Sequence, residues 1–146
     1  MPVDGLSDDI IRDILTTTRR IALVGASAKP ERPSNEVMGF LLRRGYEVTP
    51  INPGLAGQAI HGKPVVGALD QAAPLEMVDV FRASAHVRPV VEDAVRLGAR
   101  VVWMQLGVID QAAAEAGRAA GLVVVMDRCP VIETARLRLG PLDAAA

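Results

Sequence analysis

Five short apolar runs punctuate the chain: Ile21–Val24, Val48–Ile51, Val78–Phe81, Val101–Met104 and Leu122–Met126. Each is four or five residues long and rich in Val and Ile. Runs of that length suit strands covered on both faces, as in a parallel sheet with helices above and below. Between them the period changes. Ser34–Arg44 places Val37, Met38 and Leu41 at helical spacing, opens on Ser34 as a candidate N-cap and stops at Gly45. Pro89–Leu97 carries Val90, Val91, Ala94 and Val95, with Pro89 suited to a first turn and Gly98 to a C-terminal stop. Asp110–Ala120 is Ala-rich and closes at Gly121. Ahead of the first run, within residues 1–18, Ser7–Thr17 sets Ile10, Ile11, Ile14 and Leu15 on one face of a leading helix. A last short helix is expected over Val131–Leu137, after Pro130.

The alternation predicts one doubly wound α/β domain over residues 1–146, a five-stranded, mainly parallel sheet with helices on both faces. The expected strand order is 3-2-1-4-5, which sets a crevice beyond the carboxyl ends of strands one and four. Residues 52–74 break the pattern. They are rich in Gly and Pro and read as a mostly irregular crossover with one helical turn near Leu69–Ala72. Residues 138–146 read as a frayed tail.

Composition narrows the partners. Hydrophobic residues make up 50% of the chain and aromatics 3%, and sixteen basic residues balance seventeen acidic ones for a net charge of −1. A general nucleic-acid binder would show a basic surplus and stacking aromatics. Cys129 is the only cysteine, so an intramolecular disulfide is excluded. The start of the chain carries Asp4, Asp8 and Asp9 instead of a signal-peptide pattern, and no stretch approaches the ~20 apolar residues of a membrane helix. The expected location is cytoplasmic, with no membrane partner.

Candidate chemistry lies in the loops after the apolar runs. Gly25-Ala-Ser-Ala-Lys-Pro-Glu-Arg-Pro-Ser-Asn35 sits between a buried strand and a helix, where backbone N–H groups and a helix N-terminus receive phosphate. Gly25 permits a tight turn, Ser27 offers a hydroxyl, and Lys29 and Arg32 supply positive charge. An ordinary turn with solvated charges is the plain alternative. Three familiar uses fail on spacing. Gly-x-Gly-x-x-Gly is absent, with Ser27 and Pro30 at its later positions, and Asn52-Pro53 stands where an acid would hold an adenosine ribose, which disfavours NAD. No Gly-x-x-x-x-Gly-Lys-Ser/Thr occurs, and no acids cluster at Val24–Ser27 as a receiver domain requires. Two separated histidines and one cysteine give no expectation of a metal. Asn52-Pro53-Gly54 follows the second run, Phe81-Arg82-Ala83-Ser84 sets a cation after the third, and Gln105-Leu106-Gly107 pairs an amide with a small residue after Trp103. Together these loops describe a nucleotide-shaped crevice with Lys29, Arg32 and Arg82 and no suitable carboxylate base. Such a crevice suits holding a polyanion more than catalysing a reaction on it.

Six segments then fall in a recognisable order: Ile21-Ala-Leu-Val-Gly-Ala-Ser27, Arg32-Pro-Ser-Asn35, Pro50-Ile-Asn-Pro53, Val78-Asp-Val-Phe-Arg82, Trp103-Met-Gln-Leu-Gly107 and Asp127-Arg-Cys-Pro130. From Arg19 to Leu137 the chain resembles the small bacterial CoA-binding domain family, whose fold is similar to the CoA-binding domain of the succinyl-CoA synthetase alpha subunit. The resemblance implies a Rossmann-like domain that binds CoA or acyl-CoA at the strand-end rim. By that likeness Gly25, Ala26, Ser27, Lys29, Arg32, Ser34 and Asn35 would take the phosphates. Asn52 and Pro53 would border the adenine and ribose. Phe81, Arg82, Gln105 and Gly107 would line the crevice toward the pantetheine arm. No second domain like that of the synthetase is expected, so ligase activity is not expected to carry over, and Ala83 follows Arg82 where close relatives are expected to have a proline.

Two functions stay open at this level. The first is a non-catalytic CoA or acyl-CoA binding module, a sensor or a partner of an acyl-CoA enzyme. The alternative is a small thiol enzyme or redox protein using Cys129 on a bound thioester or disulfide, or a binder of another adenine nucleotide. Cys129 precedes a helix start that would lower a thiol pKa; equally, it reads as a small buried residue at a strand end. His61 reads as a surface residue, and His86 as a residue that helps a helix begin. A homodimer through the leading helix or the edge at Leu122–Met126 is a further expectation.

Overall fold

A computed structural model describes residues 2–142. Helix α1 (Asp8–Thr17) is followed by β1 (Arg20–Val24), α2 (Pro33–Arg44) and β2 (Glu47–Ile51). A small hairpin, β3 (Ala59–Ile60) and β4 (Lys63–Pro64), interrupts the crossover to β5 (Met77–Val80). Then come α3 (Val87–Arg96), β6 (Val101–Met104), α4 (Gln111–Ala119), β7 (Val123–Val125) and α5 (Pro130–Arg136). Side chains cap the helices where the sequence offers them. Ser7 accepts from the Ile10 N–H at the start of α1, and Asp110 from the Ala113 N–H at the start of α4. No helix among the described residues is long and apolar enough to cross a membrane.

The main sheet is parallel throughout, with helices on both faces: the doubly wound α/β fold the alternation predicts. Its order corrects the expectation. The strands run β2-β1-β5-β6-β7, which is 2-1-3-4-5 for the five apolar runs instead of 3-2-1-4-5. Pro50 gives the reason. A proline has no N–H to donate, so within a sheet it belongs on an edge strand. Pro50 lies in β2 opposite Leu23 of β1, and the expected order would have flanked β2 on both sides. The third run, β5, therefore pairs directly with β1, and the strand order reverses between these two strands. On the outer side of β2, among the described residues, only Val66 makes a bridge, its N–H donating to Pro50 O at 3.1 Å while the Asn52 N–H donates to Val66 O at 3.0 Å.

Two apolar layers cover the sheet. On one face Val78, Val80, Val102 and Met104 meet Val87 and Val91 of α3 and Ala113 and Ala114 of α4. On the other, Leu23, Met77 and Trp103 meet Ile11 and Leu15 of α1, Val37, Met38 and Leu41 of α2, and Cys129. At the opposite edge the start of the chain meets the residue after β7: the Asp4 carboxylate accepts from the Met126 N–H at 3.1 Å. Arg128 forks onto the same carboxylate at 2.8 and 2.9 Å and reaches Glu133 at 2.6 Å. The last described residues are also held, with Arg44 donating to Leu139 O at 3.2 Å and Leu142 packing on the core. Of the tail expected over 138–146, residues 143–146 lie outside the described ones.

Asp79 sits in the middle of β5, in register with Leu23 on one side and Trp103 on the other. It is fully buried, and neither carboxylate oxygen has a hydrogen-bond partner among the described residues. Burial pushes its carboxyl well above the usual carboxylate range. The folded chain therefore holds this proton more tightly than the unfolded chain does. Its contribution to stability is full below the unfolded value near 3.8 and is lost as pH rises through the raised folded value. Asp79→Asn is expected to remove that downward slope and to gain most over wild type at neutral pH. Urea unfolding of both proteins at pH 5 and pH 7.5 checks this; parallel changes in midpoint would contradict it.

Candidate functional site

The reversal of strand order gathers the loops after β1, β2, β5 and β6 at one rim. Gly25 turns the chain out of β1 at φ +88°, and its N–H and that of Ala26 both donate to Ile51 O, at 3.1 and 3.2 Å. The Phe81 N–H donates to Val24 O at 2.9 Å, bringing the end of β5 against the same turn. A Cβ on residue 25 would stand 2.2 Å from Phe81 O, so only glycine admits this approach. Side chains then hold the loop from two sides. Asn52 Nδ2 donates to Ala26 O at 2.8 Å, and Asn35 Nδ2 donates to Ser27 O at 2.9 Å. Ser27 Oγ accepts from the Lys29 N–H at 3.1 Å.

The start of α2 corrects the expected N-cap at Ser34. Pro33 is the first helical residue, because its fixed φ and missing N–H suit that position, so Arg32 occupies the cap position. Arg32 makes no side-chain cap, and Ser34 becomes a buried residue of the first turn. The helix thus presents an uncapped N-terminus beside the loop, where anions are favoured.

Two cavities flank the reversal point. The first, about 600 Å³, is lined by Gly25, Ala26, Ser27, Lys29, Arg32, Ser34, Asn52, Phe81, Arg82 and Gln105 of the expected residues. The second, about 470 Å³, lies on the α3 side and is lined by Pro53, by Gly67, Ala68 and Leu69, and by His86 and Asp93. The two share Gly25, Asn52 and Arg82. Asn35 and Gly107 line neither. Asn35 braces the Ser27 peptide, and Gly107 joins the rim loops, its N–H donating to Asp127 Oδ1 at 2.8 Å and its carbonyl accepting from Ser84 Oγ at 3.4 Å.

Among the described residues no carboxylate pairs with Lys29, Arg32 or Arg82, so these charges stay unneutralised at the cavity wall. Gln105 adds a directional feature. It is 6% exposed, it lines the first cavity, and its Oε1 is buried without a donor among the described residues. Buried acceptors are rarely left so, and this one belongs to a side chain that also contributes to the cavity wall. Pro33, Leu106 and Val108 also line this cavity, beyond the residues expected from the sequence. Pro33 adjoins the expected residues and was within reach of sequence reasoning. The wall at 67–69 carries no local signal, because its place depends on the path of the crossover.

Cys129 lies at the cap position of α5, buried in the apolar layer with Trp103 and Val125, and it lines neither cavity. His61 is an exposed residue, as expected, and its Nε2 lies 2.9 Å from both Asn35 O and Asn35 Oδ1.

Known proteins share this sequence pattern and fold. An uncharacterized protein of Bacillus subtilis (strain 168), YneT, is 34% identical over 119 residues, covering 82% of this chain and 87% of its own. A hypothetical protein from Pyrococcus horikoshii OT3 has a similar structure at 42% identity, with a TM-score of 0.88 over 94% of this chain and 96% of that one. The crystal structure of Prb, the PH1109 protein redesigned for binding, aligns at 41% identity with a TM-score of 0.90 over 97% and 99% of the two chains. The CoA binding domain family matches residues 19–135, the span that holds every strand of the main sheet and both cavities, and the chain belongs to that family.

Proposed function

We propose that the protein binds CoA or acyl-CoA at this rim and holds it without turning it over. The observation that carries the reading is the coincidence of an uncapped α2 N-terminus with unpaired Lys29, Arg32 and Arg82 at one cavity wall. CoA brings a pyrophosphate and a 3′-phosphate, and charge-assisted bonds from Arg to phosphate are among the stronger hydrogen bonds. In this reading the Gly25–Ser27 loop, Lys29, Arg32 and Ser34 take the phosphates, with Asn35 bracing the loop. Asn52 and Pro53 border the adenine and ribose in the second cavity. The pantetheine arm runs past Phe81, Arg82 and Gln105, while Gly107 fixes the loop from behind. The alternative thiol chemistry loses support because the Cys129 thiol lies in the core, off both cavities. A cytoplasmic setting and an acyl-CoA enzyme as recipient belong to the same proposal.

Arg32→Ala is expected to weaken CoA binding by ~1.5–3 kcal/mol, the range for a hydrogen bond to a charged group. Titration calorimetry of wild type and variant measures it. Unchanged affinity would move the phosphate site away from the start of α2.

A further inference from the structure

His61 joins the crossover hairpin to the anion-facing loop through a continuous chain of contacts. With Gly62 it forms the two-residue turn between β3 and β4, both residues at positive φ, 48° and 76°. That is the hairpin turn whose twist matches the strands, and histidine is among the few side chains found there with some frequency. The imidazole lies on α2 over Gly39, where a Cβ would stand 3.1 Å from Cε1 and 3.4 Å from Nε2. Glycine is unfavourable inside a helix, and here its lack of a side chain makes room for the ring and for the flexible end of Arg43, whose Nη1 would stand 3.2 Å from that Cβ. Nε2 is 2.9 Å from Asn35 O and 2.9 Å from Asn35 Oδ1. Both oxygens accept, so Nε2 carries the proton and donates. The other end of the same amide, Nδ2, donates to Ser27 O at 2.9 Å, which fixes the way the amide faces.

We propose that His61 is a positioning residue for the anion site: through Asn35 it keeps the Ser27 carbonyl turned toward α2 and out of the cavity. A carbonyl oxygen facing the cavity would repel phosphate. Because C=O and N–H of a trans peptide point opposite ways, the same hold turns the Ala28 N–H away from α2. His61 lines neither cavity, so it acts without touching the ligand. The inference rests on the CoA reading above for the identity of the ligand, and on the contacts alone for the hold on the loop.

Three variants and two readouts test it: CoA affinity by calorimetry, and amide hydrogen exchange at Ala28 and Lys29 without ligand. His61→Ala should lower CoA affinity about threefold to tenfold, the worth of a single hydrogen bond, and speed exchange in the loop. His61→Gln keeps an N–H donor at similar reach and should restore most of both. Gly39→Ala is the better helix residue but crowds the ring. It should lower affinity and speed loop exchange while the melting temperature holds or rises, a combination that a purely stabilising role for His61 does not produce. Wild-type affinity and wild-type exchange in His61→Ala and Gly39→Ala would overturn the inference. So would a loss in Gly39→Ala that only follows a fall in melting temperature. If wild type itself fails to bind CoA, the ligand reading fails and loop exchange alone decides whether His61 holds the loop.

Discussion

Arg128→Met is expected to destabilise the protein by about 3–5 kcal/mol at neutral pH, the cost of breaking a buried ion pair from one side. The side chain of Asp4 is fully buried and that of Arg128 is 8% exposed, so removal of the guanidinium leaves the Asp4 carboxylate buried without its cation and Glu133 with Arg136 alone. The loss also reaches the sheet edge, since Asp4 is the group that meets the Met126 N–H. The effect has a signature in pH. Burial alone would raise the Asp4 carboxyl, but the Arg128 fork and the N–H groups of Leu6 and Met126 outweigh it and hold Asp4 below its usual value. Burial likewise opposes, and Arg136 and Arg128 prevail, at Glu133. A carboxyl lowered by folding contributes stability that is present above its unfolded value, near 3.8 for Asp4 and 4.5 for Glu133, and is lost as pH falls through the folded value. Wild type and Arg128→Met should therefore lie far apart in urea at pH 7 and draw together near pH 3. A constant difference across that range would assign the loss to packing instead of charge.

Gly25→Ala is expected to cost about 2–4 kcal/mol of stability, combining backbone strain with overpacking, and to weaken CoA binding at least tenfold. The residue sits at φ +88°, and the new Cβ would lie 2.2 Å from Phe81 O, a backbone atom with no soft side chain to give way. Relief requires parting the ends of β1 and β5, the seam over which both cavities meet. The two losses arise from one displacement, so they should appear together. Chemical denaturation and calorimetry on the same preparation check this. A variant that binds CoA as wild type does would show that the seam is not part of the site.

The strands were the most legible part of the molecule because each is a short Val- and Ile-rich run covered on both faces; Val101–Met104 matches β6 residue for residue. The order of strands was less so. It depends on which edge a strand can tolerate, and the signal, Pro50 inside the second run, is a single residue. The hairpin at 59–64 leaves no pattern in the sequence, since its strands are two residues each and too short to show a period. At the site, residues contiguous with the Gly25–Asn35 loop were readable because one turn and one helix start bring them together. What joins them to the rest was not. Asn35 and His61 are 26 residues apart, and Asp4 and Arg128 are 124 apart, and neither pairing leaves a local trace. Asp79 was visible only as one polar residue in an apolar run, with nothing to show that its carboxyl is left without a partner.

Titration calorimetry of the wild-type protein with CoA, run beside dephospho-CoA and NAD, bears most directly on the function. Saturable binding of CoA is expected, tighter than that of dephospho-CoA, which lacks the 3′-phosphate, and tighter than that of NAD, for which the rim offers no ribose-holding acid after β2. Absence of binding at millimolar CoA, or tighter binding of NAD than of CoA, would contradict the assignment.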